Sequence, residues 1–217
     1  GTTWGTVIVA IVVYLIAQPE ITTANFWWCF LSGAMWAGAQ MLQYRSFELI
    51  GVSGGMPIST GMQLTANSVV GALFLGDWPT LGQRVVGFSA IALIIFGIWM
   101  TTRKERVSPS STAAASSGAP AADNEGNAAK SNMKAGILVL AIGTIGYVGF
   151  SFFPARFHVE GRAAFLPQAL GMVSGAILFS LLYLKQRPFS MPSIKNMLGG
   201  FIFALAVLLY LISINLN

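Results

Sequence analysis

The sequence contains few charged residues. Only 9% of its 217 residues are Asp, Glu, Lys or Arg, whereas about 25% is usual for a soluble domain. The charges are also clustered, which leaves uncharged runs at 1–19, 21–44, 49–76, 85–102, 135–155, 163–184 and 196–217. Each run is long enough, at roughly 18 residues or more, to cross a bilayer as a helix. The sequence therefore predicts an all-α membrane protein with seven transmembrane helices.

Cysteine and histidine are equally scarce. Cys29 stands alone, which excludes an intrachain disulfide and a cysteine-based metal site, and no metal or other cofactor is predicted. His158 is the one histidine. The net charge of +5 comes from Lys and Arg residues beside helix connections, where it is typical of membrane topology rather than of nucleic-acid binding.

The predicted helices are joined by short connections except at one place. We expect helices at 3–17, 26–43, 56–74, 85–100, 136–153, 165–184 and 197–214. Residues 103–133 are rich in Ala, Ser, Gly and Pro and predict a flexible linker. The linker divides the chain into a four-helix part at 1–102 and a three-helix part at 134–217.

The basic residues are distributed unequally between the two sides of the membrane. The connections alternate sides along the chain, so that one side receives three Lys and Arg residues and the other receives nine. The positive-inside rule places the nine in the cytoplasm. Because the linker carries five of them, the linker is expected to be cytoplasmic as well.

The stretch GVSGGMPIST at 51–60 fits a catalytic pattern. The residues around Ser53 match the G-x-S-x-G pattern of serine hydrolases, and His158 would have to be the base. The predicted topology places these two residues on opposite sides of the membrane, whereas a nucleophile and its base lie within about 3 Å. An intramembrane serine hydrolase is therefore the weaker alternative, and no enzyme activity is predicted.

The same stretch predicts a bend at the start of the third helix. Glycines at a helix start leave backbone groups outside the helical ladder, where protein or water must satisfy them, and Ser53 is expected to cap the helix. The candidate hinge residues are Gly51, Gly54, Gly55 and Pro57. The glycines at 143, 146, 149, 171 and 175 have a plainer interpretation, which is close helix packing.

Uncharged polar side chains recur on single faces of the predicted helices, and such groups usually face the bundle interior. The candidate substrate-binding residues are Trp36, Gln40, Gln43, Ser59, Gln63, Asn67, Tyr147 and Gln168. Amides and hydroxyls donate and accept hydrogen bonds at once, and an aromatic ring can pack against the C–H face of a sugar. The pattern favours a small neutral solute, with plain hydrogen bonding between helices as the alternative.

Two segments on either side of the linker are weakly alike. Residues 32–49 (SGAMWAGAQMLQYRSFEL) align without gaps on residues 199–216 (GGFIFALAVLLYLISINL), which pairs Gly33 with Gly200. In this alignment the first helix corresponds to the helix at 165–184. Weak internal symmetry of this kind is typical of transporters that are built from repeats.

Three motifs resemble a known family. They are GTTWG at 1–5, IGVSGGMPISTGMQL at 50–64 and PQALGM at 167–172, and they are similar to the bacterial glucose uptake proteins of the sugar transport family, within the drug/metabolite transporter superfamily. The resemblance implies a multi-pass protein of the bacterial inner membrane with ten helices in two inverted halves of five. This chain would hold the second to the eighth. The implied function is glucose uptake by alternating access, with protons as the coupling ion.

The coupling residue and the direction of transport stay open at this stage. The candidates for a proton site are Glu48 and Asp77, which lie near the ends of predicted helices. Export of amino acids or other metabolites, as elsewhere in the superfamily, is the alternative within transport. A membrane scaffold without transport activity is a further alternative.

Overall fold

The structure, a computed structural model, describes residues 2–104, 122–182 and 196–214. Within these residues the secondary structure is entirely helical. The elements are α1 (Thr2–Ala17), α2 (Thr23–Ile50), α3 (Val52–Val70) with a π-helical continuation (Gly71–Leu75), α4 (Leu81–Lys104), α5 (Ala122–Arg156), α6 (Gly161–Leu182) and α7 (Met197–Ile214). Each predicted helix is confirmed as a helix, and most of them extend beyond the predicted bounds.

Among the described residues, four helical segments are long and apolar enough to cross a membrane, namely Val52–Leu75, Leu81–Thr101, Asn132–Arg156 and Gly161–Leu181. Helices α1 and α7 contribute shorter apolar segments. Helix α2 is 28 residues long, but its second half carries the polar and charged residues Gln40, Gln43, Arg45 and Glu48. The fold is that of an all-α membrane protein, and the crossing by seven helices stays a prediction.

Helix α5 begins earlier than the sequence suggested. It starts at Ala122, so a helix occupies the last part of the segment 103–133 for which a linker was predicted. Alanine is the best helix former, and each residue added to an existing helix gains a hydrogen bond, which favours extension of α5 through this Ala-containing stretch. The rest of the predicted linker, 105–121, lies outside the described residues.

Helix α2 packs against α5 and against α6, so the parts of the chain before and after the linker interlock. Glycines allow α5 and α6 to approach α2 closely. A Cβ on Gly146 of α5 would lie 2.7 Å from the carbonyl oxygen of Met35 on α2, and a Cβ on Gly171 of α6 would overlap the carbonyl oxygen of Phe30. The prediction that these glycines permit close helix packing is confirmed.

The pair α1–α7 repeats the packing of the pair α6–α2. In each pair, two glycines lie so close to carbonyl oxygens of the facing helix that a Cβ would clash. The contacts in α6–α2 are Gly33 with Gln168 O and Gly171 with Phe30 O, and those in α1–α7 are Gly200 with Thr2 O and Gly5 with Met197 O.

These contacts lie at corresponding positions of the aligned segments. The alignment of 32–49 on 199–216 extends by two residues to position 30, and GTTWG at 1–5 aligns with PQALG at 167–171. The corresponding residues are Gly33 and Gly200, Phe30 and Met197, Thr2 and Gln168, and Gly5 and Gly171. Each of these two glycine contacts in one helix pair therefore has its counterpart in the other.

The bend between α2 and α3 consists of one residue, Gly51. Its φ of +79° lies in a region that glycine adopts without steric cost, and its N–H bonds to Phe47 O at 3.0 Å. The prediction that Ser53 caps α3 is wrong, because Gly51 is itself the N-cap and no side chain bonds to the first turn. Ser53 already lies inside that turn. The bend is confirmed, and its action as a hinge stays a prediction.

Ser53 and His158 lie at opposite ends of the helices. Ser53 is in the first turn of α3, whereas Phe74 at the far end of that helix contacts Phe152 near the end of α5, at 6.4 Å between ring centroids. His158 follows α5 and is exposed. Since the length of α3 is roughly 28 Å at ~1.5 Å per residue, these two side chains do not form a nucleophile–base pair.

Candidate functional site

The amides of α2 and α3 and a phenol of α5 form one hydrogen-bonded cluster. Gln43 Nε2 donates to Ser59 Oγ at 2.7 Å, and Gln63 Nε2 donates to the same oxygen at 3.0 Å. Tyr147 Oη donates to Gln43 Oε1 at 2.6 Å and to Gln40 Oε1 at 2.9 Å. Tyr147 thereby links two helices that precede the linker to one that follows it. We call this set of five residues the amide cluster.

Helical spacing and the bend assemble the amide cluster. Gln40 and Gln43 are about one turn apart on α2, and Ser59 and Gln63 are about one turn apart on α3. The single-residue bend at Gly51 turns the chain, so that the last turns of α2 and the first turns of α3 become neighbours. The local sequence thus brings four members together, and only the packing of α5 adds the fifth.

The amide cluster forms part of the wall of a cavity of about 270 Å³, which we call the central cavity. This volume lies just below the ~300–1,000 Å³ that is usual for small-molecule sites. The lining residues are Trp36, Gln40, Gln43, Met56, Thr60, Gln63, Asn67, Tyr147, Phe150, Ser151 and Phe203. The structure thus brings six of the eight predicted substrate-binding residues to one cavity, and none of the described residues that line it is charged.

The central cavity offers polar atoms that the protein does not use. Among the residues that the structure describes, neither Gln63 Oε1 nor the side-chain amide of Asn67 has a hydrogen-bond partner. Each amide combines a donor group with an acceptor oxygen, and each hydroxyl of a sugar does both. The wall can therefore exchange hydrogen bonds in both directions with a neutral polyol.

Aromatic rings cover the apolar part of the central cavity. Trp36 contacts Phe203 of α7 at 5.1 Å between ring centroids with a tilt of 37°, Tyr147 edge-on at 6.4 Å and Phe150 at 6.5 Å. Sequence reasoning missed Phe203, because one phenylalanine in an apolar helix carries no periodic signal. The signal that was available is the internal repeat, in which position 203 corresponds to position 36.

Two predicted site residues lie outside the lining of the central cavity. Ser59 is buried behind the amides that it binds. Gln168 is fully buried, and its Nε2 donates to Ser32 Oγ at 2.9 Å and to Phe150 O at 3.0 Å. The backbone carbonyl of Gln168 packs against Gly33 where α2 and α6 meet. The side chain of Gln168 is therefore held between the helices and does not reach the cavity.

The two candidates for proton coupling have different surroundings. Glu48 pairs with Arg45 near the end of α2, where both side chains are mostly exposed. Asp77 follows the π-helical turn, and its N–H bonds to Gly71 O at 3.2 Å. Asp77 also lines a second cavity of about 600 Å³, which we call the Asp77 cavity.

The central cavity lies between two others. The Asp77 cavity shares Asn67 and Ser151 with it. On the other side, a cavity of about 320 Å³ shares Trp36, Gln40 and Phe203 with it. This third space, which we call the Tyr44 cavity, is further lined by Thr2, Thr3, Ala37, Met41, Tyr44, Ala176 and Ser180. The three cavities form a row from one end of the helices to the other.

An all-α membrane fold with a row of cavities and an uncharged polar cluster in the middle has the features of a membrane transporter. The chain belongs to the family described as "Sugar transport protein", which matches residues 1–217. This is a family of transport proteins and not of enzymes. The resemblance to the sugar transport family is therefore confirmed.

The relatives of the chain are named for sugar uptake. "Putative ribose uptake protein RbsU" of Latilactobacillus sakei is 42% identical over 217 residues, which cover 98% of this chain and 68% of the relative. "Putative ribose uptake protein RbsU" of Lactobacillus johnsonii is 39% identical over 225 residues, which cover 100% and 70%. "Putative sugar uptake protein lmo0169" of Listeria monocytogenes is 38% identical over 213 residues, which cover 98% and 68%. No solved structure matches the chain.

Proposed function

We propose that this chain carries a neutral monosaccharide into the bacterial cell, across the inner membrane, by alternating access. The observation that carries the proposal is the wall of the central cavity, in which the described residues supply amides, hydroxyls and aromatic rings but no charged side chain. An anionic substrate would call for Arg or Lys in the wall, and a cationic one for a carboxylate. The membership of the chain in a sugar transport family supports the same class of substrate.

Ribose and glucose are the two candidate substrates. The resemblance of the sequence motifs implies glucose, whereas two of the relatives are named for ribose uptake. Both sugars offer hydroxyls to the amides and a C–H face to Trp36. The names of these relatives favour ribose when the two sugars compete.

The repeated helix contacts support the alternating-access part of the proposal. Transporters built from two inverted repeats hold the substrate at the repeat interface and expose it by rocking one repeat against the other. The central cavity is lined by helices from both parts of the chain, and the contacts of α6–α2 recur in α1–α7. A ten-helix arrangement of two five-helix halves is consistent with this recurrence.

Coupling to protons is proposed through Asp77. A coupling carboxylate has to be reached from the pathway of the substrate, and Asp77 lines a cavity that adjoins the central cavity. Glu48 is the weaker candidate, because Arg45 already pairs with it at the surface.

Uptake of labelled sugars by proteoliposomes tests the proposal. The wild-type protein is expected to take up labelled ribose and, to a smaller extent, glucose. Gln63→Ala removes one donor and one acceptor from the wall, so uptake at low sugar concentration should fall about tenfold, the equivalent of ~1.4 kcal/mol. The matched control is Gln18→Ala, which removes an exposed amide between α1 and α2 and should leave uptake unchanged.

Two outcomes would contradict the proposal. If the Gln63→Ala variant takes up both sugars at the rate of the wild type, the central cavity is not the binding site. A protein that takes up neither sugar but exchanges amino acids or other metabolites in the same vesicles would instead be an exporter of the same superfamily.

A further inference from the structure

We propose that the ring pair of Trp36 and Phe203 is the barrier that closes the central cavity toward the Tyr44 cavity, so that a sugar must displace these rings to pass. The proposal rests on the proposed transport function for its biological meaning. Its physical content, a closed aromatic partition between two cavities, can be measured without any sugar.

The position of the two rings is the first argument. Trp36, Phe203 and Gln40 are the residues that line both the central cavity and the Tyr44 cavity, so they form the wall between these spaces. The rings lie 5.1 Å apart between centroids, which leaves no room for a solute to pass between them. Gln40 completes the wall, and the hydrogen bond that Tyr147 Oη donates to Gln40 Oε1 holds it in place.

The internal repeat is the second argument. Trp36 and Phe203 occupy corresponding positions of the two aligned segments, and they contact each other. When two repeats are related by a two-fold axis, a residue touches its own counterpart only close to that axis. One ring therefore belongs to each half of the protein, and a relative rotation of the halves would separate the pair directly.

The opposite boundary of the central cavity is built differently. The residues shared with the Asp77 cavity are Asn67 and Ser151, which carry short polar side chains and no rings. Ser151 Oγ bonds to the backbone, to Tyr147 O at 3.4 Å, so it does not bridge the opening. The boundary toward the Asp77 cavity therefore has no counterpart of the ring pair among its shared residues, so the proposed barrier makes the described conformation accessible from the end of the helices that holds Asp77 and closed toward the end that holds Tyr44 and Ser180.

Sided labelling of introduced cysteines measures this barrier. Cys29→Ala removes the one native thiol, and Ser151→Cys then places a reporter between the central cavity and the Asp77 cavity. A membrane-impermeant thiol reagent is added to intact cells or to inverted membrane vesicles, which present opposite faces of the protein. In the absence of sugar, the reporter should react at least about tenfold faster from the Asp77 end than from the Tyr44 end, which corresponds to a strongly biased population of conformations. A second reporter, Ser180→Cys, should show the reverse preference.

The variant Phe203→Ala should abolish the sidedness. With the ring removed, we expect the two rates at the Ser151→Cys reporter to agree within about threefold, a residual bias of at most ~0.7 kcal/mol. Phe203→Leu retains more of the packing volume and should lower the ratio to an intermediate value. The matched control is Phe201→Ala on the same helix, because Phe201 is exposed and lies outside the lining of both cavities, so the ratio should stay as in the parent.

Two results would overturn the barrier. One is equal labelling from both ends in the parent, and the other is an unchanged ratio in both Phe203→Ala and Phe203→Leu. The proposed transport function is judged separately by sugar uptake in the same vesicles. Sided labelling that depends on Phe203 in a protein that takes up no sugar would support the barrier and refute the transport function.

Discussion

The substitution Tyr147→Phe removes one hydroxyl from the amide cluster and leaves the ring in place. The hydroxyl donates to Gln43 Oε1 at 2.6 Å and to Gln40 Oε1 at 2.9 Å, and it is the contact through which α5 holds both amides. Gln43 Oε1 keeps one further donor, Gln40 Nε2, at 3.3 Å. Gln40 Oε1 loses its hydrogen-bond partner among the described residues. The change therefore releases Gln40 more than Gln43.

The magnitude of the effect follows from these contacts. One proton serves both acceptors, so we count one hydrogen bond, with a net contribution to folding of ~0.5–1.5 kcal/mol, or ~0.6 kcal/mol on average in a membrane protein. The effect on sugar binding is larger, because the freed amides must be ordered again when sugar binds, at ~0.5–1.5 kcal/mol for each side chain. Because Gln43 Oε1 keeps its bond to Gln40 Nε2, we take the lower part of the range for the two side chains, ~1–2 kcal/mol, which corresponds to sugar binding that is about 5- to 30-fold weaker.

Equilibrium binding of labelled ribose to the purified protein measures this loss. The matched control is Tyr14→Phe, which removes an exposed hydroxyl from α1 and should leave the Kd unchanged. A double-mutant cycle with Gln40→Leu separates the interaction between Tyr147 and Gln40 from a general loss of structure. In the Tyr147→Phe background, Gln40→Leu should weaken ribose binding only slightly, because the hydrogen bond between the two side chains is already absent. A Kd of Tyr147→Phe within twofold of the wild type, or full additivity in the cycle, would refute the idea that Tyr147 preorganises the amides.

Two other predictions concern helix packing and coupling. Gly33→Ala should lower the thermal unfolding temperature in detergent, because its Cβ would clash with Gln168 O at a cost of ~1–3 kcal/mol. The matched control is Gly199→Ala, whose Cβ would meet open space and which should be neutral or stabilising by up to ~1 kcal/mol. If Gly199→Ala lowers the unfolding temperature more than Gly33→Ala does, the described α2–α6 contact is contradicted. Asp77→Asn should remove the dependence of sugar uptake on a pH gradient, whereas Glu48→Gln should retain it. A gradient response that survives Asp77→Asn would exclude Asp77 as the coupling residue.

Properties that depend on nearby residues were predictable from the sequence. The helices follow from long uncharged runs, and the bend follows from glycines at one helix start. Gln40, Gln43, Gln63 and Asn67 were predicted from helical spacing alone, because a face of a helix is fixed by residues three or four apart. The structure then brings these residues to one cavity.

Properties that depend on which helices meet were not predictable in the same way. Gln168 has the same polarity as the cavity residues, yet the approach of Gly33 directs it into the α2–α6 contact. Ser53 does not cap α3, because only one residue, Gly51, separates α2 from α3 and Ser53 already lies within the helix. Phe203 enters the site only because α7 lies beside Trp36. Each of these outcomes is decided by tertiary packing, which a one-dimensional pattern does not contain.

The two aligned helix pairs share glycine contacts but not polar residues. Backbone contacts of α6–α2 recur in α1–α7 because glycines occupy corresponding positions, which fixes how closely the helices approach. The polar residues do not recur: Gln40 and Gln43 of α2 correspond to Val207 and Tyr210 of α7. The amide cluster therefore forms on the side of α2 that faces α3 and α5, and it has no counterpart on α7. A solute that binds to the amides in this conformation rests beside the ring pair, where a relative rotation of the halves would open its path toward the Tyr44 cavity.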